Sequence, residues 1–354
     1  MSIAKVSKTY GLHSIELFAR NLKYTEVQKT IKFCIDHGKI YKMKNDPYNI
    51  DRHLKSQYLI NDGIRLRIYR SHTHSNGIGF IINPSTLLSG EYQPVKLWVP
   101  TEEAVDELLK DLDKILKSLG LENVKAKDLS LSQMDATQNS WGNSGYTPTE
   151  IIRLLRKGLI PKGFEALVNK DKSLNPYLFV LKSKRKNSKK SSNIIVKTYD
   201  KVHELKENDR CPKSLKDEQI LRFEVSMKRE AFLKKLNLDR DASLFEMLRV
   251  GYEQGKELVV GYQEKIYPFA GEIVKYDAAK KLIQGKIKDS SLREQMLYLL
   301  EKTSDSAGVS AAVRKLKEHY SDVDDRRKKK IFAKFNELGI SPVTLPKDRK
   351  FHII

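Results

Sequence analysis

The sequence predicts an α+β chain, an antiparallel sheet with helices packed on one face, followed by a helical C-terminal region. Three observations predict it. Segments such as 221–228 and 63–70 alternate apolar and polar residues with the period of two of strands that have one covered face. Segments with helical spacing lie between them, and beyond about residue 243 only helical patterns remain. With 354 residues and 40% hydrophobic content the chain can bury a sizeable core and fill two domains, expected at 1–238 and 239–354.

The elements follow in order. Residues 13–18 (HSIELF) read as a strand, and 25–36 as a helix whose apolar positions Val27, Ile31, Phe33 and Cys34 make one face. In 63–70, Ile64, Leu66 and Ile68 point one way and Arg65, Arg67 and Tyr69 the other. A turn signal at 71–77 and the run 78–82 complete a hairpin with a basic, aromatic-bearing face. Thr101 is placed to cap a helix running to Gly120, with Glu102 and Glu103 matching the positive end of its dipole. Residues 129–139 form a strand with Gln133, Asp135 and Thr137 on one face, and 147–150 (TPTE) opens a helix ending near Gly158.

Strands follow at 177–181 and 193–199, joined by 182–190, in which six of nine residues are basic. The strand 221–228 alternates most cleanly, with Leu221, Phe223, Val225 and Met227 inward and Arg222, Glu224, Ser226 and Lys228 outward. Helical patterns then occupy 244–251, 292–303, 309–320 and 326–339.

Lys and Arg total 66 against 45 Asp and Glu, a formal net charge of +21, which favours a polyanionic partner, nucleic acid first. No stretch approaches the roughly 18–20 apolar residues needed to cross a bilayer, so no membrane partner is expected. The opening residues lack the apolar core of a signal peptide, and a cytoplasmic protein is expected. Cys34 and Cys211 have neither CxxC nor metal-ligand spacing, which excludes a zinc module and a disulfide framework.

The segment 194–204 (IIVKTYDKVHE) carries the chemistry. Tyr199 ends a β-branched strand, with Lys197 on its face and Lys201 joining them if the strand continues. A phenol with pKa near 10 is about one part in a thousand ionised at neutral pH, so a nucleophilic tyrosine needs cations or a metal nearby. Asp135, Tyr199 and Glu224 on three strands of one antiparallel sheet would form a site with carboxylates for a divalent metal, cations for phosphate and a tyrosine nucleophile. His203 and Glu204 are further candidate ligands. His72-Thr-His74 has ligand spacing but lies in a turn.

The succession Leu131-Ser-Gln-Met-Asp-Ala-Thr137, Tyr199-Asp-Lys-Val-His-Glu204 and Leu221-Arg-Phe-Glu-Val225 resembles the rolling-circle replication initiators of filamentous phages and small plasmids, the gene-two-protein type of nickase-ligase. Ile82-Asn-Pro-Ser-Thr-Leu-Leu88 and Phe232-Leu-Lys-Lys-Leu236 add to the likeness, which covers about residues 10–260. The resemblance implies an HUH-endonuclease-like fold and a tyrosine, Tyr199, that attacks a DNA phosphate with Lys197 and Lys201 beside it. It implies Mg²⁺ or Mn²⁺ at Asp135 and Glu224, and a covalent 5′-phosphotyrosyl link that is later resealed. Single-stranded and origin DNA are the implied partners, with a host helicase and polymerase. Arg65, Arg67, Lys184, Arg185, Lys186, Lys189, Lys190, Arg222 and Lys228 are the expected DNA contacts. Gln133 stands where the family often has arginine, and the His-hydrophobe-His metal motif of the wider superfamily is missing from the sequence. A non-catalytic DNA- or RNA-binding regulator and a carboxylate-metal nuclease using water are the alternatives.

Overall fold

In a computed structural model the structure describes residues 7–344, apart from 38–39, 43–53, 57–62, 70–75, 142–146, 168–174, 185–192, 270, 272 and 306–307. His72, His74, Arg185, Lys186, Lys189 and Lys190, and the side chain of Tyr69, lie outside the described residues.

The expected α+β architecture with an antiparallel sheet is present. The strands are β1 (Ser7–Leu22), β2 (Ile40–Lys42), β3 (Leu54–Ser56), β4 (Ile64–Tyr69), β5 (Asn76–Ile82), β6 (Ser130–Trp141), β7 (Phe164–Ala166), β8 (Leu178–Ser183), β9 (Ile194–Asp200) and β10 (Ile220–Lys228). They form one ten-stranded sheet in the order β2-β3-β4-β5-β1-β6-β10-β9-β8-β7, every neighbouring pair antiparallel. Non-sequential neighbours at its centre place β1, β6, β10 and β9 side by side, so residues more than a hundred positions apart share one face.

The register separates the faces. Phe223, Val225 and Met227 stand opposite Gln138, Ala136 and Met134, and on the next strand Thr198, Val196 and Ile194 continue this apolar side. Arg222, Glu224 and Ser226 stand opposite Asn139, Thr137 and Asp135, continued by Tyr199, Lys197 and Ile195 on the polar side. Each large aliphatic side chain taken out of water on the apolar face contributes roughly 1.5–3 kcal/mol.

The helices α1 (Tyr24–His37), α3 (Glu102–Ser118) and α4 (Pro148–Arg156) add Val27, Ile31, Leu108, Leu112 and Ile152 to the same buried cluster. Thr101 caps α3 through the Ala104 N–H, and Thr147 with Glu150 makes a capping box at α4. The short helices α2 (Pro84–Ser89) and α5 (Lys201–Glu207) stand at the rim of the polar face. After α6 (Arg229–Lys235) come α7 (Leu244–Glu253) and α8 (Gly255–Ile266), which pack on the sheet through Met247, Leu248, Val259 and Tyr262. Gly251 permits that approach, since a Cβ there would stand 2.5 Å from Met134 Sδ.

α7 and α8 therefore share the sheet's core although they lie beyond the expected 238/239 division. A second core begins at Ala279 and is built from α9 (Tyr276–Lys286), α10 (Ser290–Asp305), α11 (Val309–His319) and α12 (Asp325–Glu337) around Met296, Leu300, Leu316 and Phe335. The helical C-terminal region is thus present, with its change of core between Ile266 and Ala279. No helix among the described residues is long and apolar enough to cross a membrane.

Candidate active site

The polar sheet face carries a cavity of about 380 Å³ lined by His13, Ser14, Arg65, Asp135, Lys197, Tyr199 and Glu224 from the sheet side, and by Tyr92, Tyr177, Lys201, His203 and Arg210 from its rim. Asp135, Glu224 and Tyr199, drawn from three separate stretches of sequence, meet here as the alternation predicts.

Tyr199 Oη donates a 2.7 Å hydrogen bond to Glu224 Oε1. Burial raises the phenol well above its ordinary pKa, and the Glu224 carboxylate adds to that effect. Lys197 Nζ lies 3.5 Å from Glu224 Oε2. Burial opposes the lysine's charge, but Glu224 and Asp135 outweigh it and raise the Lys197 pKa. Burial also opposes the Glu224 charge, yet Lys197 and Arg222 outweigh it and hold the carboxyl below its usual range.

Lys201 departs from the expected strand position. The strand ends at Asp200, whose side chain accepts the His203 N–H as N-cap of α5, and Lys201 starts the helix instead. Its ammonium, 2.7 Å from Glu204 Oε2, lies 5.9 Å from the Tyr199 ring centroid. Burial, reinforced by Arg222, lowers the Lys201 pKa to about 8. Both lysines are engaged by carboxylates, and burial together with the Glu224 carboxylate disfavours the free Tyr199 phenolate.

A bulge missed by sequence reading shapes the other wall. Leu12 pairs with Ala136 and Ile15 with Met134, so His13 and Ser14 together face the single residue Asp135. Ser14 Oγ donates to Asp135 Oδ2 at 2.6 Å, and Gln133 Nε2 donates to Oδ1 at 3.3 Å. His13 Nε2 lies 3.9 Å from Glu224 Oε1. Burial and the surrounding cations, Arg222 first among them, hold the His13 pKa well below 6.5, which keeps the ring neutral.

Arg222, expected on DNA, is fully buried. Its Nε donates to Asn139 Oδ1 at 2.7 Å and its Nη2 to the Pro94 carbonyl at 2.9 Å, while Nη1 lies 4.0 Å from Glu224 Oε1. It supports the site from the same sheet face, beside Glu224, and does not reach solvent. Removing one partner of such a buried charged network typically costs about 3–5 kcal/mol. Arg222→Met is therefore expected to lower the thermal midpoint markedly, with an unchanged midpoint and a shallower salt dependence of DNA binding as the contrary result.

The remaining expected residues spread along the sheet. Arg65 is exposed at the cavity, and Arg67 Nη1 contacts Glu16 Oε1 at 3.1 Å farther along the same face. Lys228 ends β10 on that face, and Lys184 is exposed after β8. Glu204 is taken up by Lys201 and Asn208, and His203 by the Tyr177 ring and Glu207.

Among the described residues no three His, Cys, Asp or Glu side chains converge in a way that could hold a metal ion. Asp135 and Glu224 lie diagonally across the β6–β10 pair, and the Lys197 ammonium interacts with both. Asp135 and Glu224 would be the carboxylates to hold a Mg²⁺ or Mn²⁺ ion, whose charge would act beside that of the Lys197 ammonium, 3.5 Å from Glu224 Oε2.

No family model and no curated protein matches the chain. Among solved structures it is similar to a rolling-circle replication initiator protein from Geobacillus stearothermophilus, at 10% identity over 64% of this chain and 76% of that one, with a TM-score of 0.30. A likeness of that size carries neither fold nor function to this chain.

Proposed function

We propose that the protein is an initiator of rolling-circle DNA replication that nicks and later rejoins one strand through Tyr199. The observation that carries this reading is the Tyr199–Glu224 hydrogen bond inside an open cavity, with Lys197 and Lys201 beside it. The three ordered motifs around Asp135, Tyr199 and Glu224 support the choice of a rolling-circle initiator over other phosphoryl-transfer proteins.

In the proposed reaction a single-stranded DNA phosphate enters the cavity and Tyr199 Oη attacks phosphorus. Glu224 accepts the phenol proton as the new P–O bond forms, since a free phenolate is disfavoured beforehand. Lys197 offsets the charge developing on the phosphoryl oxygens. The bond to the 3′ oxygen breaks, and Lys201 delivers the proton that makes it a 3′-hydroxyl, its pKa of about 8 being suited to an acid near neutral pH. The products are a 5′-phosphotyrosyl enzyme and a primer end. Reversal, with the Lys201 amine accepting the proton and Glu224 returning one to the tyrosine, reseals the strand.

Adduct formation with single-stranded DNA on a denaturing gel tests the reading, and its pH dependence tests the assignment of the proton donor. The rate is expected to fall as pH rises through about 8, where Lys201 loses its proton. In Lys201→Arg the guanidinium is too weak an acid to replace the donor and nothing at that position titrates near 8, so the rate should be low and the fall through about 8 should vanish. A wild-type rate that climbs steadily toward pH 10 would instead make tyrosine ionisation limiting and remove Lys201 from the acid role.

A further inference from the structure

The cavity holds a group of aromatic side chains that the phosphoryl chemistry does not use. The Tyr177 and His203 rings are stacked, with centroids 3.2 Å apart and planes inclined by 20°, and both line the cavity. Tyr92, 39% exposed, lines it too. Resting on the proposed nickase reading, we infer that these side chains form a stacking subsite for an unpaired nucleobase of the nucleotide flanking the scissile phosphate.

Their placement and support both favour this. Leu178 pairs directly with Tyr199 across β8 and β9, and the Asp200 N–H donates to the Tyr177 carbonyl at 3.0 Å, so Tyr177 stands one residue beyond the nucleophile. A base on this shelf therefore belongs to a nucleotide next to the phosphate under attack. The Tyr177 N–H donates to Asn175 Oδ1 at 2.9 Å, and the Arg156 guanidinium holds the carbonyls of Asn175 and Leu178. His203 is fixed by the Asp200 cap and lies 3.1 Å from Glu207 Oε1. The shelf is thus preorganised, which lowers the entropy lost on binding. Asn175, bonded to the Tyr177 N–H, and Glu207, beside His203, line the cavity with Arg210 and offer donors and acceptors to a base edge. Base–aromatic stacking tolerates any sequence because every base has a π-face, and the neighbouring Arg65, Lys197 and Lys201 suit the backbone of the same strand.

The test compares two probes on the full chain: a sixteen-nucleotide oligothymidylate and a strand of the same length whose residues are all abasic. Tyr177→Leu and Tyr92→Leu are expected to weaken oligothymidylate binding about tenfold while leaving the abasic strand unchanged, and Tyr177→Phe, which keeps the ring, should bind as the wild type does. Melting curves identify any variant that has lost its fold, in which case the other variant decides. Equal losses on both probes, or no loss on either, overturn the stacking subsite. If the wild-type protein binds neither strand, the nucleic-acid reading itself fails; if it binds both and the variants do not discriminate, only the subsite does.

Discussion

Tyr199→Phe is expected to abolish the covalent DNA adduct and strand nicking while leaving single-strand binding and the fold nearly intact. Only the hydroxyl is removed, and with it the hydrogen bond donated to Glu224. Glu224 keeps Lys197 at 3.5 Å and Arg222 at 4.0 Å, so it is not left as a bare buried charge, and the stability cost is expected to be about 1 kcal/mol. Loss of a nucleophile removes the covalent route altogether, so adduct formation should fall below detection. The check is a denaturing gel of labelled single-stranded DNA with wild-type and variant protein, alongside a binding measurement. An adduct that persists in Tyr199→Phe would move the nucleophile elsewhere, Tyr177 being in the same cavity.

Glu224→Gln should be the second severe change, and it separates chemistry from packing. The amide is nearly isosteric and can still accept from Tyr199, but it cannot take the phenol proton or balance the buried cations. A fall of about 10²- to 10⁴-fold in adduct formation is expected, the usual contribution of a positioned proton acceptor. The same substitution leaves Arg222 and Lys197 without their carboxylate, so unfolding is expected to become easier by about 3–5 kcal/mol. The two parts are read separately, by single-turnover adduct formation at a temperature where the variant is folded and by denaturant titration. A variant with wild-type rate and lowered stability would leave Glu224 a structural counter-ion only.

The pH dependence of stability carries a related sign. Lys201 is lowered from 10.5 to about 8 in the folded chain, so the unfolded chain holds the extra proton between those values. Stability from this group is therefore expected to rise with pH across that window.

Much of this site was legible in the sequence because strands report their faces by period two. The alternation in β10 placed Glu224 opposite the core side of Phe223 and Val225, and the same rule placed Asp135 and Tyr199. What periodicity alone does not report is how the outward face is covered. Arg222, read as outward and available to DNA, is buried because the segment after α2 crosses it and accepts its hydrogen bond at Pro94. The His13–Ser14 pair was hidden by the bulge in β1, where two consecutive residues face one way and break the rule. Lys201 leaves the strand face because α5 begins at Lys201 behind the Asp200 cap, and that cap ahead of a helical run was the signal that could have shown it. α8 escaped notice because Gly255 and Gly261 interrupt a modest apolar pattern, and its packing on Ala136 through Gly255 is a tertiary contact.

The most direct measurement is to trap the protein on single-stranded DNA, digest the complex with protease and nuclease, and locate the nucleotide-bearing residue by mass spectrometry. A phosphodiester on Tyr199 is expected, with a 3′-hydroxyl on the released strand. Strand cleavage with no covalent intermediate, or a nucleotide carried on any other residue, would contradict this reading.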